Sequence, residues 1–222
     1  MNLPDNLLPS GWYWTGQGLY ALVLFWAILT APWRKLRDTS PLNVWLGTCV
    51  VLMALWSIRT GIKPGLNFHL LGATAMTLMF GPQLALIGLT IVLTAVTLAG
   101  MSGWQGYGWN ALIMGVLPVA VSYGIYWLVD RKLPNHLFVY IFLNAFFGGA
   151  LAMAVTGFGG TLLLQLSGAY LPAYLYHDYL PYFILMAWSE AVTTGMAITL
   201  MVVYVPNWVS TFDDARYLKR NK

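Results

Sequence analysis

Gly65-Leu66-Asn67-Phe68-His69-Leu70-Leu71-Gly72-Ala73 opens an apolar run that continues to Phe80, where Gly81-Pro82 interrupts it. The run is compatible with lipid, and so is most of the chain on either side. A single imidazole, His69, stands at its start. An ionisable side chain in such a setting has a polar partner or binds something, so the function turns on what His69 faces.

Working outward, hydrophobic residues make up 59% of the 222 positions and charged residues 8%. Soluble domains carry about a quarter charged residues, so this composition belongs to a membrane protein. The whole chain, 1–222, reads as one integral membrane domain, because no hydrophilic segment is long enough to bury a core of its own. The opening Met-Asn-Leu-Pro-Asp lacks the basic region of a secretory signal. The one cysteine, Cys49, lies inside an apolar run, which excludes an internal disulfide and a cysteine-based metal cluster. The net charge of +4 is not a sign of nucleic-acid binding, since the basic residues lie where membrane topology wants them.

A spanning helix needs about 20 mostly apolar residues. Seven segments qualify or nearly do: Gly18 to Trp33, Val44 to Thr60, the short run Phe68 to Phe80, Gln83 to Ala99, Ala111 to Val129, Leu137 to Leu166, and Tyr182 to Val205. The fold class is therefore all-α and polytopic, with about seven transmembrane helices. Arg34, Lys35 and Arg37 follow the first segment, Arg131 and Lys132 the fifth, and Arg216, Lys219, Arg220 and Lys222 the seventh. With seven spans and an external N-terminus, these nine fall on the cytoplasmic side and only Arg59 and Lys63 fall outside, as the positive-inside rule requires. The expected location is the cell inner (cytoplasmic) membrane, with residues 206–222 as a basic cytoplasmic tail.

The outer loops differ in character. Residues 100–110 are rich in glycine and aromatics, and residues 169–181 hold four tyrosines with His177 and Asp178. Tyr and Trp form interfacial belts, but the glycines point to backbone folded closely against something. In the sixth segment, Gly148-Gly149-Ala150 and Gly157-Phe158-Gly159-Gly160 suit close helix packing, and a break near Gly157 to Gly160 would let the remainder dip back.

Segment three descends from the outside, so His69 falls near its outer end, with Ala73 and Met76 on the same helical face. Asn67 precedes it, Asn110 opens segment five from the outer side, and Met1 is external too. Topology alone thus makes Met1, His69 and Asn110 available to one outward-facing region. Glu190, flanked by Ser189, Thr193 and Thr194 in segment seven, must be paired, protonated or hydrogen-bonded; it either helps bind a cation or is a buried structural group. His136 reads as interfacial, His177 and Asp178 as loop residues, and the ten methionines as packing. An enzyme is not expected. HExxH, GxSxG, a glycine-rich phosphate loop and paired intramembrane acids are all missing from the sequence, so active transport needs an energy source elsewhere.

From Asn67 to Asp130 the chain resembles the CbiM and NikM proteins, the substrate-capturing membrane components of energy-coupling factor transporters for cobalt and nickel. The matching features are His69-Leu70-Leu71-Gly72-Ala73, Gly81-Pro82, Gly108-Trp109-Asn110 and Met114-Gly115. The start, Met1-Asn2-Leu3-Pro4-Asp5, is similar to the family's usual Met-His-Ile-Pro-Asp. Ser189-Glu190-Ala191-Val192-Thr193 resembles its last span, with Val205-Pro206 just beyond.

The resemblance implies that residues 1–16 form an external segment folded into the pocket. It implies a metal held by the terminal amine of Met1, the amide of residue 2, an imidazole at residue 2, and His69. Four nitrogens in a plane suit Ni(II) or Co(II). Here residue 2 is Asn2, so one imidazole is lost, and Ile113 stands where the family has a further Asn. The expected metal set is Met1, Asn2 and His69, with Asn67, Asn110 and Glu190 in support. The expected function is the substrate-binding component of a transition-metal uptake transporter, with the metal as cargo and a coupling membrane subunit and ATPase subunits as partners. Two alternatives stay open: the same scaffold with copper or a small organic molecule as cargo, and a non-transporting membrane assembly subunit.

Overall fold

The computed structural model describes residues 2–218. The chain forms α1 (Ser10–Thr30), α2 (Thr39–Ser57), the strands β1 (Thr60–Lys63) and β2 (Leu66–Phe68), α3 (Ala73–Phe80), α4 (Pro82–Leu98), α5 (Tyr107–Lys132), α6 (Leu137–Leu166), α7 (Pro172–Asp178), α8 (Tyr182–Tyr204) and α9 (Asp214–Tyr217). Among the described residues, α2, α5, α6 and α8 are long and apolar enough to cross a membrane. α4 is apolar but only 17 residues long, and α1 has 21 residues without a charge. Leu, Trp and Phe side chains remain exposed along α1, α5, α6 and α8, as expected where lipid is the solvent.

The third expected segment differs most from its sequence reading. It does not begin as a helix at Phe68. Pro64-Gly65, with Gly65 at φ 76°, turns the chain into an antiparallel hairpin that pairs Gly61 with Asn67 and Thr60 with Phe68. Alternation along β2 buries Leu66 and Phe68 and sends Asn67 the other way. His69 then lies in irregular backbone before α3, so it does not share a helical face with Ala73 and Met76. α3 has only eight residues, and all but Ala75 are buried. It is an interior rod. It ends at Gly81, whose φ of 83° suits glycine, and Pro82 starts α4 where its missing N–H costs no helical bond.

The expected break at Gly157 to Gly160 is absent, because α6 runs unbroken to Leu166. Its irregularity is instead a π-helical stretch at Tyr140–Phe147, and α5 carries another at Leu112–Val116. The glycines serve packing: a Cβ at Gly157 would overlap the ring of Phe183.

After α8 the chain turns back under the far end of α3. The amides of Ser210 and Thr211 donate to the carbonyls of Met79 and Leu78 at 2.9 and 3.3 Å. Phe212 and Tyr217 stack with centroids 5.1 Å apart, and Arg216 bridges Asp130 of α5 at 2.7 Å. Lys219, Arg220 and Lys222 lie outside the described residues.

Candidate metal centre

The chain before α1 is threaded into the molecule. Asn2, Leu3 and Leu8 are buried. The Leu3 amide donates to Asn110 Oδ1 at 2.8 Å, Asn110 Nδ2 donates back to the Leu3 carbonyl at 3.2 Å, and Nδ2 also donates to Ser102 Oγ at 2.7 Å. The Gly103 amide donates to the same Leu3 carbonyl at 3.0 Å. Tyr13 Oη accepts from the amides of Leu7 and Leu8 at 2.7 and 2.8 Å, and Asp5 Oδ1 accepts from the Gln105 amide at 2.8 Å. A Cβ at Gly103 would overlap the backbone of Asp5, Gly106 lies against Leu3, and Gly108 against the backbone of Gly16 and Gln17 in α1, so three of the glycines of residues 100–110 do lie against close backbone.

This strap sets Asn2 beside His69. Asn67 Oδ1 accepts from the Asn2 amide at 2.7 Å. The His69 ring lies 5.0 Å from the ring of Trp56, tilted by 46°, and Trp56 Nε1 donates to the Leu71 carbonyl at 3.0 Å. His69 Nδ1 is 3.0 Å from the Leu70 carbonyl. A carbonyl only accepts, and the neutral ring has one proton to give; with it on Nδ1, the nearer of the two contacts, Nε2 keeps its lone pair. Nε2 lies 3.2 Å from Asn2 Oδ1, also an acceptor, while Asn2 Nδ2 has no hydrogen-bond partner among the described residues.

Two lone pairs therefore converge in a buried place. A half-turn of the amide would let Nδ2 donate to Nε2. With Oδ1 inward, a cation between the two satisfies both. Two donors each about 2.1 Å from a metal and about 90° apart lie about 3.0 Å from one another, close to the observed separation. Imidazolium would satisfy both neighbours as well. Burial of the ring opposes that charge, so the neutral form is favoured. The neutral ring is the form that can offer Nε2 to a metal.

Glu190 does not enter this pair. Its carboxylate accepts the amides of Leu71 and Gly72, both at 2.8 Å, and the hydroxyl of Thr194 at 3.5 Å. It clamps the backbone that follows His69. Asn110 likewise holds the strap at Leu3, one residue beyond Asn2, and Asn67 holds the Asn2 amide. Met1 lies outside the described residues. His136, His177 and Asp178 are exposed, and His136 Nδ1 accepts from the Phe138 amide at 3.2 Å. No group of three or more His, Cys, Asp or Glu side chains able to hold a metal occurs among the described residues.

The residues that sequence reasoning missed are Trp56, Ser102 and Tyr13. The pair His69–Asn2 spans 67 positions and Glu190–Leu71 spans 119, and neither left a local pattern. Asn2 also lines a polar cleft of about 560 Å³, whose walls include Asp5, Arg59, Lys63, Asn67 and Ser102.

Residues 2–208 match the family described as "CbiM: Cobalt uptake substrate-specific transmembrane region". The chain is 26% identical over 221 residues to the cobalt transport protein CbiM of Desulforamulus reducens, which covers 98% of this chain and 84% of that protein. It is 30% identical over 168 residues to the CbiM of Chlorobium limicola, covering 70% of this chain and 61% of the relative. With the probable fused nickel transport protein LarMN of Lactiplantibacillus plantarum the match is 26% over 162 residues, 71% of this chain and 48% of that longer protein. The fold is similar to the crystal structure of a truncated transition metal transporter, with a TM-score of 0.79, 21% identity, and 92% and 99% of the two chains covered.

Proposed function

The chain belongs to the CbiM family of cobalt uptake substrate-specific transmembrane regions, and from that premise we propose that it captures Ni(II) or Co(II) at Asn2 and His69. It is a membrane transport component and not an enzyme. The single observation that carries the reading is that the N-terminal strap brings the Asn2 side-chain amide, buried, to within 3.2 Å of His69 Nε2. Trp56 and the Leu70 carbonyl fix the ring, Glu190 fixes the backbone behind it, and Asn67 and Asn110 fix the strap that delivers Asn2. Such orienting contacts tune a site without touching the metal. In this reading the Met1 amine supplies a further nitrogen, seven segments cross the inner membrane, the cleft faces outward, and the basic clusters face the cytoplasm. A coupling membrane subunit and ATPase subunits supply the energy, as in energy-coupling factor transporters.

The test is equilibrium dialysis of purified protein against Ni(II), Co(II) and Cu(II). His69→Ala should lower Ni(II) or Co(II) affinity by more than about 100-fold, the upper end of what loss of an outer partner of a metal ligand costs. Binding of these ions that ignores His69 would sink the proposal, and retention of Cu(II) alone would move the cargo to copper. If the amine of Met1 is a donor, one residue added ahead of it should abolish binding.

A further inference from the structure

A groove of about 1120 Å³ shares no residue with the metal centre. α5 and α8 both pack against α6, and the groove lies between them with α6 as its floor. Leu128 of α5 and Ile184 of α8 stand on its two walls, and the small side chains of Ala150 and Ala154 give it depth. Apolar surface is ordinary where lipid is the solvent, so the walls alone do not name an occupant. One end of the groove does.

The only charged residue in the lining is Lys132, in the last turn of α5. No carboxylate pairs with it among the described residues. Asp130, the acid of the same turn, is already bridged by Arg216 at 2.7 Å and accepts from Tyr217 Oη at 3.3 Å. The Arg131 guanidinium, 4.2 Å from the centre of the Trp127 ring, adds a second positive charge to the same turn. The Tyr176 hydroxyl, the other polar side chain in the lining, is spent on Gln165 Oε1 at 2.8 Å. An apolar trough thus ends at one unpaired ammonium.

Length decides between the occupants that could cover it. The floor residues Leu143 and Ala154 are both in the lining, and at about 1.5 Å per residue they lie about 16 Å apart along the helix. That is the depth of one leaflet, half of a hydrocarbon core of about 30 Å. A spanning partner helix is about twice as long and would lay an apolar flank against Lys132, leaving the ammonium unpaired at cost. A phospholipid fits both features: its acyl chain fills one leaflet, and its phosphate stands at the membrane edge where the ammonium is. Basic residues between helices at that edge are a known means of holding anionic headgroups.

We propose that this groove binds an anionic phospholipid, with the phosphate on Lys132 and an acyl chain along Ala150 and Ala154. The site is independent of which ion the metal centre carries, and it holds α5, α6 and α8 together from the lipid side.

The test uses the full chain in detergent, with retained lipid counted by native mass spectrometry. Wild type should retain one phosphatidylglycerol and hold it at least about fivefold more tightly than phosphatidylcholine of the same chains, the effect of one basic residue at an anionic surface. Lys132→Gln should remove that preference and leave phosphatidylcholine binding unchanged. Ala150→Phe, which fills the floor, should lose both lipids while still binding Ni(II) as wild type does. A second readout leaves the floor intact: a photoreactive phenylalanine analogue at the exposed position Leu151, in vesicles of equal phosphatidylglycerol and phosphatidylcholine, should label mainly the former. Equal retention of the two lipids by wild type, or a preference that survives Lys132→Gln, overturns the proposal. Displacement of the lipid by glycerol 3-phosphate, which has the phosphate and no acyl chain, would reduce the groove to a surface phosphate site and overturn it too. In native membranes, an adduct at Leu151 with a second polypeptide would give the groove to a partner helix instead.

Discussion

At His69 the two ring nitrogens have different work. Nδ1 is spent on a carbonyl, which leaves Nε2 as the one donor atom turned toward Asn2. In the proposed site, the identity of residue 2 sets how well the metal is held. Asn2→His replaces an amide oxygen with an imidazole, and affinity for Ni(II) should rise at least about tenfold, or ~1.4 kcal/mol; isothermal titration would show it, and an unchanged constant would remove residue 2 from the coordination sphere.

At the scale of elements, α3 acts as a rod gripped at both ends by the chain of α8 and its extension. Glu190 accepts the two amides just ahead of α3, and Ser210 and Thr211 donate to its last carbonyls. A buried carboxylate receiving two backbone N–H groups satisfies donors that neither the helix nor lipid could. Glu190→Gln keeps one acceptor and turns an NH2 against the other amide. The expected cost is about 2–3 kcal/mol, the range for a buried bond to a charged group, visible as a lower midpoint of thermal unfolding in detergent, and accompanied by weaker nickel binding because Leu71 and Gly72 carry the backbone of His69. An unchanged midpoint would mean that the clamp carries no weight. Gly72 adds to the constraint, since at φ 63° a Cβ would be both strained and overlapped by Leu52.

At the scale of the molecule, the cleft, the strap and the hairpin gather at one end, while Asp130, Arg216 and the back-folded segment after α8 gather at the other. The proposed orientation puts the first end outside. In a Cys49→Ser background, a membrane-impermeant maleimide applied to intact cells should label a cysteine at the exposed position Thr60 and spare one at Leu133; the reverse pattern would invert the topology.

Much of this was legible in the order of residues. The apolar lengths placed the fourth, sixth and seventh segments within a residue or two of α4, α6 and α8, because hydropathy is a local sum. The lone imidazole was visible because an ionisable group in an apolar run is costly wherever it falls. Segment three was misread at its start because three residues of strand, Leu66 to Phe68, are too short to show a period of two against so apolar a background.

What the sequence by itself determined is the lipid-soluble, mainly helical class of the chain, the clustering of its basic residues, and the candidates His69, Asn67, Asn110 and Glu190. What only the tertiary structure decided is their division of labour. Asn2 meets the imidazole, Asn110 and Asn67 hold the strap, and Glu190 grips backbone and not cargo. The reason is physical: composition and periodicity are properties of neighbours along the chain, whereas the partner of a buried polar atom is chosen among groups 65 to 119 residues away, where packing alone brings them within hydrogen-bond reach.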